Sequence, residues 1–268
     1  MMNFVSTWLL FAQALVISTA QDVGRFAYEE SFSNMYYDVN ENKEVTLTID
    51  VPEARQRRGD IPKGAHRAFG PYPLRKEEGF TYTIDFEKSG ITSDDWYESL
   101  DIFLSNSGVI KPGEPFDHEG DQPPPLATLH YSSGDGFSVN MGAREIYCSR
   151  VGRDLLPGKY VYKDPFRPRV KIIYKIRNNG VVRLWVRCEK RTPSRFRFIL
   201  SLSDHGVPPL HYHVQSAGRS SLNDVLNQVR RVCPSKHLSS DDFSKVVFAT
   251  EKTIYIEFEG NRLPLTKV

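Results

Sequence analysis

The sequence has few cysteines, no N-glycosylation sequon and none of the short motifs that mark common enzyme classes. Its 268 residues include three cysteines and no Asn-x-Ser/Thr site. It also lacks a G-x-S-x-G elbow, a Walker loop, a dinucleotide fingerprint, an H-E-x-x-H helix and a paired-cysteine zinc signature. An enzyme built on scattered carboxylates would leave no local motif, so a glycan-active or metal-assisted enzyme stays open as an alternative. No cofactor is expected.

Long apolar runs are missing beyond the N-terminus. The first twenty residues carry an apolar run from Val5 to Ile17, followed by small residues at Ser18 and Ala20. This pattern predicts a cleaved secretory signal over residues 1–20. No later segment approaches the ~20 apolar residues of a membrane-spanning helix. We therefore expect a secreted, extracellular protein without a transmembrane anchor.

The rest of the chain contains no sharp linker. Hydrophobic residues make up 40%, with 16 Phe and 13 Tyr, which is enough for a sizeable buried core. Residues 21–268 are accordingly predicted to form a single β-sandwich domain. The stretch 53–70 is charged and rich in Gly, so it is predicted to be an exposed loop.

Three segments between Val170 and Asp204 alternate between apolar and polar residues, which is the pattern of half-buried strands. The first two are joined by Asn178-Asn179-Gly180, a turn typical of tight hairpins. Further alternating segments follow the same rule, and SLDIFLSNSG (residues 99–108) is also predicted to be a strand. Ser221 begins an amphipathic helix near the C-terminus. The predicted fold is mainly β, an antiparallel jelly-roll-like sandwich with this one helix. The predicted inward residues are Val182, Leu184, Val186, Phe196, Phe198 and Leu200.

The opposite face of this three-stranded unit is dense in cations. Residues 163–197 hold twelve Lys or Arg against two acidic residues, although the whole chain has a net charge of only +2. Such a surface favours an extracellular glycan or another polyanion as partner, whereas nucleic acid is not expected. In the alternative interpretation, acidic residues from elsewhere neutralise the cations. The predicted ligand-binding residues of this face are Trp185, Lys171, Lys175, Arg183, Arg187, Arg195 and Arg197.

The run LATLHYSSGDGFSVNMGAREIYC, followed by a loop and VKIIYKIRNNGVVRLWV, resembles the carbohydrate-recognition domain of galectins in order and spacing. The resemblance covers roughly residues 75–190 and implies a concanavalin A-like jelly roll. It places His130, Asn140 and Glu145 at sugar-contacting positions. The chain departs from galectins at residues 131–133, where Asn-Pro-Arg is missing, and at Met141, near the position of the galectin Trp. The leading hypothesis is a secreted, lectin-like, non-enzymatic module that binds carbohydrate or an acidic polymer.

The three cysteines permit one disulfide and one remaining thiol in an oxidising compartment. Cys148 and Cys188 both lie on strand-like segments, so they are the first choice of pair, with Cys233 left over. Three buried free thiols are the alternative.

Two overlapping motifs lie in the predicted loop. Arg55-Gln56-Arg57-Arg58 matches the pattern cut by furin-like convertases, and Arg58-Gly59-Asp60 is the tripeptide that integrins recognise. A cut after Arg58 would destroy the second motif. These residues support the second hypothesis, a structural or cell-adhesion protein that contacts a cell-surface protein. A solvated basic loop without either role is the plainer interpretation.

A pair of histidines follows the three-stranded unit. His211 and His213 share one face of an extended strand, the spacing at which two imidazoles bind one metal ion. No carboxylate or third His stands at a diagnostic spacing. Two ordinary strand positions are therefore the competing interpretation of the pair.

Overall fold

The structure is a computed structural model that describes residues 23–30, 33–52, 64–111, 124–142, 144–189, 194–202, 211–217 and 221–268. The chain divides between Arg150 and Val151 into two compact units, and each contains a closed antiparallel barrel of eight strands. None of the described helices is long and apolar enough to cross a membrane.

The first unit is a barrel in which each strand pairs with the next one along the chain. The described part of the connection between its fifth and sixth strands contains two helices. The elements are β1 (Gly24–Glu29), β2 (Asn34–Val39), β3 (Glu44–Val51), β4 (Ala65–Lys76), β5 (Thr81–Ile84), α1 (Phe86–Ser89), α2 (Ser93–Asn106), β6 (Thr128–Ser133), β7 (Gly136–Met141) and β8 (Arg144–Val151).

A buried arginine joins three parts of the first barrel. The Arg150 side chain on β8 is 2% exposed, and its guanidinium lies 4.5 Å from the centre of the Phe26 ring on β1. It donates hydrogen bonds to the carbonyl oxygens of Val23 and Gly134. Charged groups are tolerated in an interior only when such partners satisfy them. Arg150 therefore fastens β8 to the start of β1 and to the β6–β7 turn.

The second unit is also an up-and-down barrel, closed where its last strand pairs with its first. Its elements are β9 (Gly158–Lys163), β10 (Val170–Ile176), β11 (Val181–Cys188), β12 (Ser194–Leu202), β13 (Tyr212–Ser216), α3 (Leu222–Val232), β14 (Lys245–Phe248), β15 (Thr253–Phe258) and β16 (Asn261–Lys267). The predicted hairpin of β10 and β11 is confirmed, with Gly180 at a φ of 74° in its turn. Five of the six predicted inward residues are buried, and Phe196 is half-buried against the same core.

The prediction of a mainly β, antiparallel protein is confirmed, but the jelly-roll-like sandwich and the single domain over 21–268 are not what the strands form. Side chains alternate between a buried and an exposed face in both architectures, so periodicity alone does not separate a sandwich from a barrel. The region that resembles galectins, residues 75–190, covers parts of both units.

Two local predictions in the first unit were wrong. Residues 65–70 of the predicted loop belong to strand β4, while 53–63 lie outside the described residues. The Gly70-Pro71 pair argued against a strand, because Pro is rare in sheets except at bulges. The structure has such an irregularity here, since the register of β3 and β4 shifts between Val45 and Leu47. An added Cβ on Gly70 would lie 2.6 Å from the Val45 oxygen, so glycine is required there.

The segment predicted as a strand at residues 99–108 lies mostly in helix α2. Thr92 and Asp95 form a capping box at its start. The buried face follows the helical period and consists of Trp96, Tyr97, Leu100, Phe103 and Leu104. The apolar run LDIFL fits both periods when it is viewed alone, and only the longer window from Ser93 reveals the helix.

The disulfide prediction named the wrong pair. Cys188 at the end of β11 is bonded to Cys233, which follows α3, while Cys148 is a buried free thiol in the first barrel. Cys148 belongs to the buried core of the first barrel and Cys188 to that of the second. The correct pairing depends on where α3 docks, which local sequence does not specify.

The core assignment predicts a large difference between two adjacent residues of β12. Phe198→Ala should lower the free energy of unfolding of the second barrel by ~3–5 kcal/mol, because Phe198 is 1% exposed and truncation leaves a cavity. Ile199→Thr is the control, because Ile199 is 40% exposed on the outer face and its replacement should change stability by less than about 0.5 kcal/mol. Denaturant unfolding followed by circular dichroism measures both. Equal destabilisation would contradict the register of β12.

The cysteine assignment predicts a selective alkylation pattern. Burial raises the pKa of the Cys148 thiol to about 12, so almost none of it is the reactive thiolate at pH 8. Iodoacetamide should leave the native protein unmodified, label only Cys148 after unfolding without reductant, and label all three cysteines after reduction. Peptide mapping by mass spectrometry reads each state. A peptide that links Cys148 to Cys188 would overturn the pairing.

Candidate anion-binding face

The outer surface of β9 to β12 is lined by basic side chains, and we call it the cationic face. Strand alternation turns the core residues inward and leaves the intervening positions outside. These outward positions include eight cations, of which seven are exposed and Lys171 is half-buried. The members are Lys159, Lys163, Lys171, Lys175, Arg183, Arg187, Arg195 and Arg197.

Strand register arranges most of these cations in two rows that cross the strands. In the first cationic row, Lys175 pairs with Lys159 on one side and with Arg183 on the other, and Arg183 pairs with Arg197. In the second cationic row, Lys171 pairs with Lys163 and with Arg187. Adjacent strands are about 4.8 Å apart, so each row presents roughly one cation per strand spacing.

An apolar row lies between the two cationic rows. Ile173 pairs with Val161 and with Trp185, and Trp185 pairs in turn with Arg195. Val161, Ile173 and Trp185 are all half-buried. Among the described residues, no Lys or Arg is stacked over the Trp185 indole. Its side chain lines a groove on this face.

The cationic face has two adjoining grooves. The groove over the apolar row has a volume of about 410 Å³ and is lined by Lys159, Lys171, Ile173, Lys175, Trp185 and Arg187. The other has a volume of about 590 Å³ and is lined by Lys163, Asp164, Arg167, Arg169, Val170, Lys171, Arg187 and Glu189. Lys171 and Arg187 line both, so the two grooves are neighbours. Both volumes are in the range of ligand-binding clefts.

Within the described residues, the cations of this face have no acidic side chain as partner. None of its eight cations forms an ion pair with an Asp or Glu in the described part of the chain. Asp164 lines the larger groove, but its carboxylate forms an ion pair with Lys236, with 3.2 Å between Oδ2 and Nζ. The Nε of Arg187 donates a hydrogen bond to the backbone oxygen of Glu189, which orients the guanidinium. The alternative of internal neutralisation thus finds no support in the described residues.

The structure brings together all seven residues predicted for this face and adds others. Lys159 and Lys163 are not among the predicted residues, because the sequence pattern predicts a loop between REIYC and VKIIYK where the structure has β9. The alternation in GKYVYK, with Tyr160 buried between two outward lysines, was the signal that could have revealed them. Arg167 and Arg169 lie in the β9–β10 connection, and their place beside the second groove follows from tertiary structure alone.

The galectin-derived residues lie on the first barrel, separate from this face. His130 pairs in register with Ser138, and Asn140 pairs with Glu145, so all three predicted residues point outward from β6, β7 and β8. The Nδ1 of His130 is 3.2 Å from the Thr81 hydroxyl, which holds the ring. The three residues share a surface, but no groove among those described includes them.

The two strand histidines are in direct contact. The Nε2 atoms of His211 and His213 are 3.2 Å apart and the rings are nearly perpendicular. Two nitrogens bound to one tetrahedral zinc would lie roughly 3.4 Å apart, since each Zn–N bond is about 2.1 Å. A hydrogen bond between the rings fits the same distance. Among the described residues, no group of three or more His, Cys, Asp or Glu could hold a metal ion.

The adhesion and processing residues Arg55, Arg58, Gly59 and Asp60 lie outside the described residues, as does the predicted signal peptide. Comparisons with known proteins add no candidate function, since no family model, curated protein or solved structure matches this chain.

The histidine contact leads to a metal-binding prediction. We expect the rings to be joined by a hydrogen bond, because two ligands are fewer than the three or four that zinc sites use. Protein purified without chelator should contain well below one equivalent of zinc, and His211→Ala with His213→Ala should leave the metal content unchanged. Elemental analysis measures this, with the exposed His237→Ala as control. Stoichiometric zinc that disappears only in the double variant would establish a metal site instead.

Proposed function

We propose that this protein is an extracellular binding module for a polyanion, and that the cationic face is its binding surface. The proposal is carried by one observation: eight cations share one outer surface without an acidic partner in the described chain. A polyanion that contacts several of them releases bound counterions, which drives association. The predicted secretory signal and the Cys188–Cys233 disulfide support an extracellular setting.

The energetics of the surface favour an external partner. Lys175, Arg183 and Arg197 stand directly opposite one another across three strands, and like charges in such positions destabilise a sheet by a few tenths of a kcal/mol to about 1 kcal/mol per pair. An anion placed between them converts this repulsion into attraction. A purely structural role would require only a solvated polar surface with mixed charges.

A column experiment tests the proposal. The protein should bind heparin agarose and elute at a salt concentration well above that needed for ordinary ion exchange. Replacing Arg183, Arg187 and Arg195 by Ser should abolish retention near physiological salt. The slope of log Kd against log salt should also decrease by roughly two to three, about one for each lost contact.

A charge-matched variant is the control for this test. Lys76, Arg230 and Lys252 are exposed and belong to none of the strands β9 to β12, and their replacement by Ser removes the same net charge. This variant should elute close to the unmodified protein. Equal loss of retention in both variants would show that net charge alone is responsible, and unchanged elution of a folded Arg183, Arg187 and Arg195 variant would refute the site.

A further inference from the structure

The apolar row makes the cationic face a groove with an apolar floor rather than a uniformly charged surface. Trp185 and Ile173 are half-buried, whereas Lys175 and Arg183 beside them are exposed. Lys and Arg side chains are longer than Ile and carry their charge at the tip. The apolar side chains therefore form the floor of the groove, and the two cationic rows form its walls.

The dimensions of the groove restrict the occupant. Its walls are four residues apart along β10, at Lys171 and Lys175, which is about 14 Å between Cα positions. The flexible side chains narrow this space from both sides. A flat lipid bilayer would meet the charged tips before it reached the floor, and a nucleic acid duplex is too broad to enter. The occupant must be a chain narrow enough to lie on Ile173 and Trp185.

The two walls also restrict the charge pattern of that chain. A single-stranded nucleic acid carries its phosphates along one edge and its bases along the other, so it would leave one wall facing uncharged groups. A glycan with anionic substituents on both edges meets cations on both sides. The apolar faces of its sugar rings can then lie on the indole of Trp185, as aromatic rings accept the apolar body of an amphipathic group.

We propose that this groove seats a linear glycan bearing sulfate or carboxylate groups along both edges, with its sugar rings on Ile173 and Trp185. This inference rests on the function proposed above and specifies its ligand class. The glycan crosses the strands, so on β9, β10 and β11 it meets a new pair of cations about every 4.8 Å. That interval is close to the length of one sugar unit in an extended chain. Arginines in the walls, such as Arg183 and Arg187, bind each anionic group through two parallel hydrogen bonds.

Two charge-matched variants test the requirement for both walls. One replaces Lys175, Arg183 and Arg197 of the first cationic row by Ser, and the other replaces Lys163, Lys171 and Arg187 of the second. Binding of a size-defined heparin hexasaccharide is measured by titration calorimetry. Each variant should weaken binding by at least about tenfold, equivalent to ~1.4 kcal/mol. A loss confined to one row would mean that the ligand has a single anionic edge and would overturn the inference.

The floor is tested separately through Trp185. Trp185→Ala should weaken hexasaccharide binding severalfold at every salt concentration. The slope of log Kd against log salt should not change, because stacking releases no counterions. Trp185→Tyr should restore most of the affinity. In the unmodified protein the ligand should change tryptophan fluorescence, and Trp185→Phe should remove that change, since Trp96 is buried in the first barrel and Trp8 belongs to the predicted signal peptide. Unchanged affinity of Trp185→Ala would refute the stacking platform.

Competitors distinguish failure of this inference from failure of the proposed function. A single-stranded oligonucleotide of equal charge and vesicles rich in phosphatidylserine should displace the hexasaccharide only at much higher concentration. If the oligonucleotide or the vesicles displace the hexasaccharide as well as unlabelled hexasaccharide does, and if Trp185→Ala does not change this, the protein binds polyanions in general. That result would leave the proposed function intact and refute the proposal that the groove is specific for a glycan. If the protein binds neither the hexasaccharide nor the oligonucleotide nor the vesicles, both the proposed function and the glycan inference are refuted. Thermal unfolding of every variant verifies that the second barrel remains folded.

Discussion

Closure of the strand ladder is the constraint on which the rest of the structure depends. In the second barrel β16 returns to β9, so each of its strands has two neighbours and its alternate side chains must enter one common interior. Tyr174 and Leu184 face each other inside, while Lys175 and Arg183, one position along, face each other outside. Core and candidate binding surface therefore occupy alternate positions of the same strands, and neither can shift register without the other.

The core outweighs the repulsion that this arrangement creates on the surface. Cross-strand repulsion between like charges amounts to at most about 1 kcal/mol per pair. A single buried aromatic residue such as Phe198 contributes several times as much. The disulfide adds a further contribution, since closing a loop of 45 residues disfavours the unfolded chain by about 4 kcal/mol. The cationic face can thus retain unfavourable charge contacts while the barrel remains folded.

Most strand positions of the second barrel and the outward face of β10 to β12 were predictable from the sequence, because both depend on local alternation. The Asn178-Asn179-Gly180 turn fixes the register of β10 with β11, and that register alone places Trp185 between cations. Barrel closure was not predictable, because pairing of β16 with β9 joins residues about 100 positions apart and leaves no local pattern. The partner of Cys188 depends likewise on where α3 docks. Strand β4 was missed because Gly70-Pro71 contradicts the usual composition of a strand and is accommodated by an irregular register.

The disulfide also has a topological consequence. Cys188 and Cys233 convert the segment between them into a covalent ring that contains β12, β13 and α3. A single cut of the backbone anywhere inside this ring opens it without dividing the chain, because the two fragments stay linked through sulfur. Arg195 and Arg197 lie within the ring and Arg183 and Arg187 lie before it. A protease that nicks this segment outside the cell would therefore leave both sets of arginines in one covalent molecule.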